Sequence, residues 1–414
     1  MNFQPPSNSF TTRDYQFITI ATILFLVIAS ALVYVNLSFP KGGGDFYVHW
    51  VSARGFIFEQ TDPYSGLIPE RVQQIVYDDA IEAGDEVYIL DTPFHILLLY
   101  FPFALLSDVE LARAIFTLVL QLALFVLVYL SLQLTGWEVP RWFTILFFAF
   151  CVLNFYTFQA ILEANPVLIL GLMYVGMLFA LYAEQDELLG ALFAVSLYYW
   201  EVSLPFLLLI AYRCYTQSRT RVLAGFFMLS FVLFVVSIFL YPNWIIPYLR
   251  AGMNNLRADF GFSIFTSLQN IIHSFGSPLA WIIIVILIIA YGYEWSRISE
   301  ADDRRFYWVC CLALAIAPLL GFRTEIEHLS ILIIPLALIF SIIYDRWKIG
   351  TFLTILVLLI LFILPWALYL FSPLTNLTGD ILYLFLPLFT VIGLYWIRWW
   401  ALRPPRVWAD LTKN

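Results

Sequence analysis

Stretches of about twenty apolar residues, the length a helix needs to cross a hydrocarbon core about 30 Å thick, recur along this chain from residue 15 to residue 402. They leave room for no separate soluble domain, so the expected fold is all-α: one integral membrane domain over residues 1–414, polytopic, with about 12 transmembrane helices. Polar interruptions divide the apolar segments at roughly 15–37, 109–134, 141–159, 165–183, 188–212, 219–241, 278–296, 304–322, 328–344, 350–372 and 380–401. Composition agrees. Charged residues make up 12% of the chain and hydrophobic ones 62%, with a mean hydropathy of +0.87, whereas soluble domains carry roughly 25% charge.

The first stretch, Tyr15 to Leu37, is too long for a signal-peptide core and lacks a convincing small-residue cleavage site, so it reads as a retained span. The formal charge of −8 argues against a nucleic-acid partner, because phosphate binding needs a basic surface. Cys151, Cys214, Cys310 and Cys311 lie in or beside apolar segments without metal-ligand spacing, which indicates neither disulfides nor a structural metal.

Basic residues orient the chain. Arg213, Arg219 and Arg221 form one connection, Arg297, Arg304 and Arg305 a second, Arg346 and Lys348 a third, and Arg398, Arg403, Arg406 and Lys413 the tail. The positive-inside rule puts all four in the cytoplasm and residues 242–277, 321–328 and 373–379 outside. Two ambiguous stretches settle the rest. Residues 93–107 are short and interrupted by Pro102, and read as a juxtamembrane or re-entrant helix; residues 188–212 carry a polar break at Glu201 to Pro205 and read as two short helices. Both termini are then cytoplasmic in a multi-pass protein of the plasma (inner) membrane, and the 38–108 loop, with its juxtamembrane helices, faces outside. Broken segments at membrane depth are tolerated where they line a protein cavity. Asn376-Leu-Thr378 fits a glycosylation acceptor pattern in an outer loop.

The densest chemistry lies in residues 41–92. After Lys41-Gly42-Gly43-Gly44, Asp45 opens a predicted helix to about Gln60, on which Asp45, His49, Ser52 and Glu59 recur at helical spacing among Phe46, Trp50, Phe56 and Ile57. The pattern describes a helix along the membrane surface with a polar stripe turned toward protein or water. A carboxylate at a helix N-terminus is held ionised by the dipole and free amides, so Asp45 is fit to accept a proton as a general base. The same residue type is also among the best helix caps, and that alternative stands beside the first.

Asp45 to Tyr64, DFYVHWVSARGFIFEQTDPY, resembles the signature that follows the first span in glycosyltransferase family 87, mannosyltransferase-like membrane proteins of the GT-C type. The similarity runs on in order: Thr92-Pro93-Phe94 with Pro102; Leu162-Glu163-Ala164-Asn165, with Glu163 where the family has Gln; Gly190 with Glu201 and Pro205, where Glu201 replaces a lysine; Ser267-Leu268; and Glu327-His328 with Pro335. The resemblance implies a GT-C-type helical bundle that takes a hexose, mannose first among them, from a polyprenyl-phosphate donor at the outer membrane face and moves it with inversion to a lipid or glycan acceptor. It places the base on Asp45 and implies no obligatory metal or other cofactor, since phosphate leaves with its charge already in place.

His328, at the head of an apolar helix on the predicted outer side, is a candidate contact to the donor phosphate or acceptor, and His49, Asn165 and Glu163 are further substrate-binding candidates. Arg323, Arg250 and Arg257 are outer-face cations whose guanidinium forks suit phosphate, and each could instead anchor at the interface or pair with Glu325, Glu327 or Asp259. Arg54, in the same predicted surface helix as Asp45, is a further phosphate candidate, with snorkelling to headgroups as the alternative. Glu201 departs most from the pattern, because a carboxylate repels the lipid phosphate that a lysine would neutralise. The rival reading is a transporter or flippase of lipid-linked sugars. Transporters place their polar residues at mid-membrane in matching halves, whereas here these residues gather in predicted outer loops and no repeat is visible.

Overall fold

The computed structural model describes residues 12–40, 44–77, 88–255, 261–298, 303–371 and 376–402. The chain is helical throughout these residues, and the one pair of β-type hydrogen bonds among them is an isolated antiparallel bridge between Phe262 and Thr324. After α1 (Thr12–Leu37) come α2 (Gly44–Glu59), α3 (Leu67–Tyr77) and two single-turn helices, α4 (Phe94–Leu97) and α5 (Phe101–Ala104). Then follow α6 (Val109–Thr135), α7 (Arg141–Leu153), α8 (Phe155–Leu162), α9 (Val167–Tyr182), α10 (Asp186–Ser196), α11 (Trp200–Thr216) and α12 (Thr220–Leu240). The last third holds α13 (Ile245–Asn255), α14 (Ile264–Ile272), α15 (Gly276–Ser296), α16 (Asp303–Ile316), α17 (Ile333–Arg346), α18 (Gly350–Phe371) and α19 (Asn376–Ala401).

Seven helical stretches among the described residues are long and apolar enough to cross a membrane, the first and last being Thr19–Leu37 and Leu377–Ala401, and the bent pair α7 and α8 makes up to eight. The protein is therefore a polytopic helical membrane protein. Several other legs are shorter or broken, as the apolar 16-residue α9 illustrates. The core centres on α9, α16 and α17, while α1, α12 and α15 expose most of their apolar surface.

Three sequence expectations change. The segment read as continuous over 141–159 bends by 53° at Asn154, whose side-chain oxygen accepts from the Thr157 amide and so caps a new helix inside an apolar run. The break in 188–212 falls at the 3₁₀ turn Leu197–Tyr199, before Glu201 rather than after it. Pro205 lies inside α11 as its sixth residue, where it has no N–H to give the Glu201 carbonyl. Finally, α2 spans Gly44–Glu59 as expected, and because Phe46 through Ala53 are all buried its polar stripe faces protein rather than water.

The chain segregates its charges by end. Arg213 pairs with Asp303 at 2.8 Å, Arg219 with Asp186, and Arg398 with Glu294 at 2.8 Å, which gathers three of the basic connections at one end of the bundle. Asn165 and Asp186 bracket α9, whose 16 residues span about 24 Å. Asn165 therefore belongs to the opposite end. There the buried Arg113 donates to the carbonyls of Phe39 and Pro40 at 3.1 and 3.0 Å and to Glu110 at 3.2 Å, tying the exit of α1 to α6 just before Asp45.

Candidate active site

α2 begins at Gly44, where a Cβ would run into the ring of Tyr88. Asp45 therefore lies inside the first turn and is not the residue preceding it. Its Oδ2 accepts two hydrogen bonds, from the Asn165 Nδ2 and from the Tyr199 hydroxyl, each at 2.9 Å. Both donors are neutral and both come from breaks in the helical pattern. Asn165 sits in the turn between α8 and α9, where Ala164 takes the left-handed conformation at φ +48 although it carries a side chain. That turn is closed by the Asn165 amide donating to the Ala160 carbonyl at 2.9 Å. Backbone strain of this kind persists where surrounding contacts over-determine it, often at functional sites.

The Asn165 amide orientation follows from its partners. Its Oδ1 accepts from the Val167 N–H at 3.0 Å, capping α9, so its Nδ2 is the group facing Asp45. The same Nδ2 reaches Glu325 Oε2 at 3.2 Å. Glu325 in turn lies 3.7 Å from Nε2 of His328, a buried side chain whose ring stands 4.4 Å from that of Tyr199. The bridge between Phe262 and Thr324 holds the strand-like segment that carries Glu325. Asp45, Asn165, Tyr199, Glu325 and His328 thus form one connected group drawn from four separate stretches of sequence.

His49 supports this group from behind. Its Nδ1 lies 2.6 Å from the Asp45 carbonyl, which can only accept, so Nδ1 carries the proton. Its Nε2 then accepts from the Thr92 hydroxyl at 3.1 Å, and the ring stacks on Tyr100 at 4.4 Å. Burial lowers the His49 pKa, which agrees with a neutral ring. His49 fixes the first turn of α2 rather than facing the Asp45 carboxylate.

The electrostatics of Asp45 correct the expectation of a dipole-stabilised anion. Desolvation by the surrounding protein raises its pKa, and the Tyr199 hydrogen bond opposes that rise without cancelling it. A base whose proton affinity is raised toward neutral pH is better matched to abstracting a hydroxyl proton than an ordinary surface aspartate.

The other sequence candidates fall around this centre. Glu201 occupies the first turn of α11, close enough to feel the charges of both Asp45 and Asp91. Glu163 is half-buried two residues before Asn165 and lies near Tyr47, whose hydroxyl donates to Glu110 at 3.0 Å. Arg323 is exposed two residues before Glu325, on the same loop. Arg250 is exposed on α13, a helix that meets Tyr64 through Tyr248, so it does not join the Asp45 group. Arg257 lies outside the described residues. Arg54 is no headgroup anchor: it donates to the carbonyls of Ala104 and Leu106 at 3.0 and 3.2 Å and lies over the rings of Trp50 and Phe58.

Sequence reasoning missed Tyr199 and treated Glu325 only as a counter-ion for an arginine. An aromatic residue beside a broken helix is a weak signal for the first, and Glu325, three residues before His328, was visible only as a partner for an arginine, so its contact with Asn165 was not anticipated. No protein-family model, curated protein or solved structure matches the chain.

Proposed function

We propose that this protein is a membrane glycosyltransferase that moves a hexose, mannose first among the candidates, from a polyprenyl-phosphate donor to a lipid or glycan acceptor at the outer face of the plasma membrane. The observation that carries the reading is the Asp45 carboxylate, half-buried at one end of the helices, raised in proton affinity and oriented by two neutral donors. In this reading Asp45 takes the proton from the acceptor hydroxyl as the oxygen attacks the anomeric carbon. The C–O bond to the phosphate breaks on the opposite face, and the sugar inverts. Asn165 and Tyr199 hold the carboxylate in line, and Arg323 is the cation nearest along the chain to meet the departing lipid phosphate.

The motif resemblance to glycosyltransferase family 87 supports the same assignment, including a GT-C arrangement of about 12 membrane helices and an outward-facing site. Clustering of the acids at one end, rather than midway along the helices, weighs against the transporter or flippase reading.

The test is transfer of radiolabelled sugar from polyprenyl-phosphate mannose by purified Asp45→Asn protein. Asn preserves the shape of the side chain but cannot take the proton, so the rate should fall by about two or more orders of magnitude with the fold intact. Substantial residual transfer by a folded Asp45→Asn protein would refute the assignment.

A further inference from the structure

Beside the Asp45 group, the structure carries a second assembly that the reaction chemistry does not use. The rings of Tyr64 and Tyr248 are tilted at 57° with centroids 6.5 Å apart, and Trp244 lies 5.8 Å from Tyr248 and 6.4 Å edge-on to His95. Tyr241 packs against Phe56 and Phe94 at 6.0 and 5.7 Å and meets the carboxylate of Asp62. Asp91 feels the same rings, since its charge and that of Asp62 both bear on Tyr64, and burial pushes the Tyr64 hydroxyl well above its ordinary pKa. Tyr64, Tyr241 and Tyr248 are each half-buried, so each keeps part of its surface open. Trp244 is 6% exposed, and its indole N–H has no hydrogen-bond acceptor among the described residues. A buried donor left in that state needs a partner supplied from elsewhere.

We propose that this shelf, built from the 61–64 turn, residues 91–95 and the start of α13, is a carbohydrate subsite that binds a pyranose ring of the acceptor. The proposal rests on the glycosyltransferase reading for the word acceptor, and on the shelf's own chemistry for the word pyranose. A pyranose presents an apolar C–H face and a rim of hydroxyls. Aromatic rings with polar tips match the face, and carboxylates with an unpartnered indole N–H match the rim. The charge is wrong for the donor end: Asp62 and Asp91 repel a lipid phosphate, and the cation assigned to the phosphate in this reading, Arg323, lies on the 321–328 loop. The link to the reaction centre is short. The Tyr64 hydroxyl donates to the Thr92 carbonyl at 2.8 Å, and the Thr92 hydroxyl meets His49, which holds the Asp45 carbonyl. The shelf is thus tied through Tyr64, Thr92 and His49 to the first turn of α2, which carries Asp45.

The experiment uses octyl α-mannoside, a single hexose on a membrane-soluble chain, with the full-length protein in lipid nanodiscs. Saturation-transfer NMR reads contact of the ring protons, and a transfer assay from polyprenyl-phosphate mannose reads KM and kcat for the same acceptor. Wild-type and Asp45→Asn proteins should both saturate the mannose ring protons. Tyr248→Ala and the conservative Trp244→Phe should lose that signal about tenfold and raise the acceptor KM about tenfold, with kcat within about threefold, as expected for lost ground-state binding. Undiminished ring saturation in both variants, or no saturation in the wild type, overturns the subsite. Ring saturation that depends on Tyr248 in a protein with no transfer activity leaves the subsite standing and sinks the transferase reading instead.

Discussion

Tyr199→Phe isolates one hydroxyl and leaves the rest of the site in place. The ring still packs 4.4 Å from His328, and only the 2.9 Å hydrogen bond to Asp45 Oδ2 is removed. Hydrogen bonds to charged groups contribute about 1.5–3 kcal/mol, and each 1.4 kcal/mol is about a tenfold change in an equilibrium. This bond favours the ionised carboxylate against the burial that raises its pKa. Its loss should therefore move the acid limb of the pH–rate profile to higher pH. At a fixed pH on that limb, transfer should fall by about tenfold to a hundredfold, while the plateau at higher pH is largely kept, because an Asp45 that does ionise is then the stronger base. The assay is initial-rate sugar transfer across a pH series with saturating donor. An acid limb that stays where the parent has it would show that Tyr199 does not tune Asp45, and a uniform loss at every pH would mean that the hydroxyl instead contacts substrate.

Three further outcomes test other parts of the structure. Gly190 lies where α10 and α12 approach so closely that a Cβ would meet the Val222 carbonyl and, at 2.6 Å, the Phe226 amide; Gly190→Ala should cost about 1–3 kcal/mol in thermal unfolding, the range for overpacked contacts, and an unchanged melting temperature would refute the tight crossing. In a cysteine-free background, Gly66→Cys, in open space, and Gln217→Cys, exposed near the basic end, should react with an impermeant thiol reagent from opposite sides of the membrane; labelling from one side would overturn the two-ended arrangement. Because the folded pKa of Asp45 is raised, its ionisation opposes folding, so the protonated acid's contribution is present at acid pH and is lost as pH rises through the folded value. Asp45→Asn should accordingly melt no lower than the parent at pH 8, with any gain shrinking as pH falls toward 3.8, the ordinary carboxyl value; a clear loss of stability at pH 8 would contradict the desolvation argument.

The start and end of α2, the turn chemistry of Asp62 and the broken course of residues 93–107 were legible because they rest on local rules. Asp62 accepts from the Tyr64 amide at 2.9 Å as a turn former should, and Pro93 and Pro102 leave room only for single-turn helices. Asn165 was visible through its motif, but its role was not, since its partners lie 120 and 160 residues away. The bend at Asn154 followed a capping rule that a hydropathy reading passes over, an Asn three residues before a Thr inside an apolar run. The burial of α2 was hidden for another reason. An alternating polar stripe reads the same whether it faces water or the hydroxyls and amides of neighbouring helices, and only packing distinguishes the two. Tyr199 was obscured by its own surroundings, in a segment where several aromatic residues precede one conspicuous acid.

The choice of partners around Asp45 bears on why this end of the bundle is built from broken helices. An arginine or lysine against Asp45 would hold the carboxylate ionised but depress its proton affinity, leaving a well-ordered and weak base. Neutral donors orient the oxygen while allowing burial to keep the affinity high, and Asn165 and Tyr199 are such donors. Neither could reach Asp45 from the middle of a regular helix running parallel to its neighbours, because side chains there point sideways into adjacent helices. The left-handed turn at Ala164 and the 3₁₀ turn at Leu197–Tyr199 end two helices short, and Asn165 and Tyr199, at these breaks, both donate to the Asp45 carboxylate in the first turn of α2. The interruptions that shorten these membrane legs are thus the same features that assemble the base, and a chain with longer, uninterrupted helices at these two places would lose both donors.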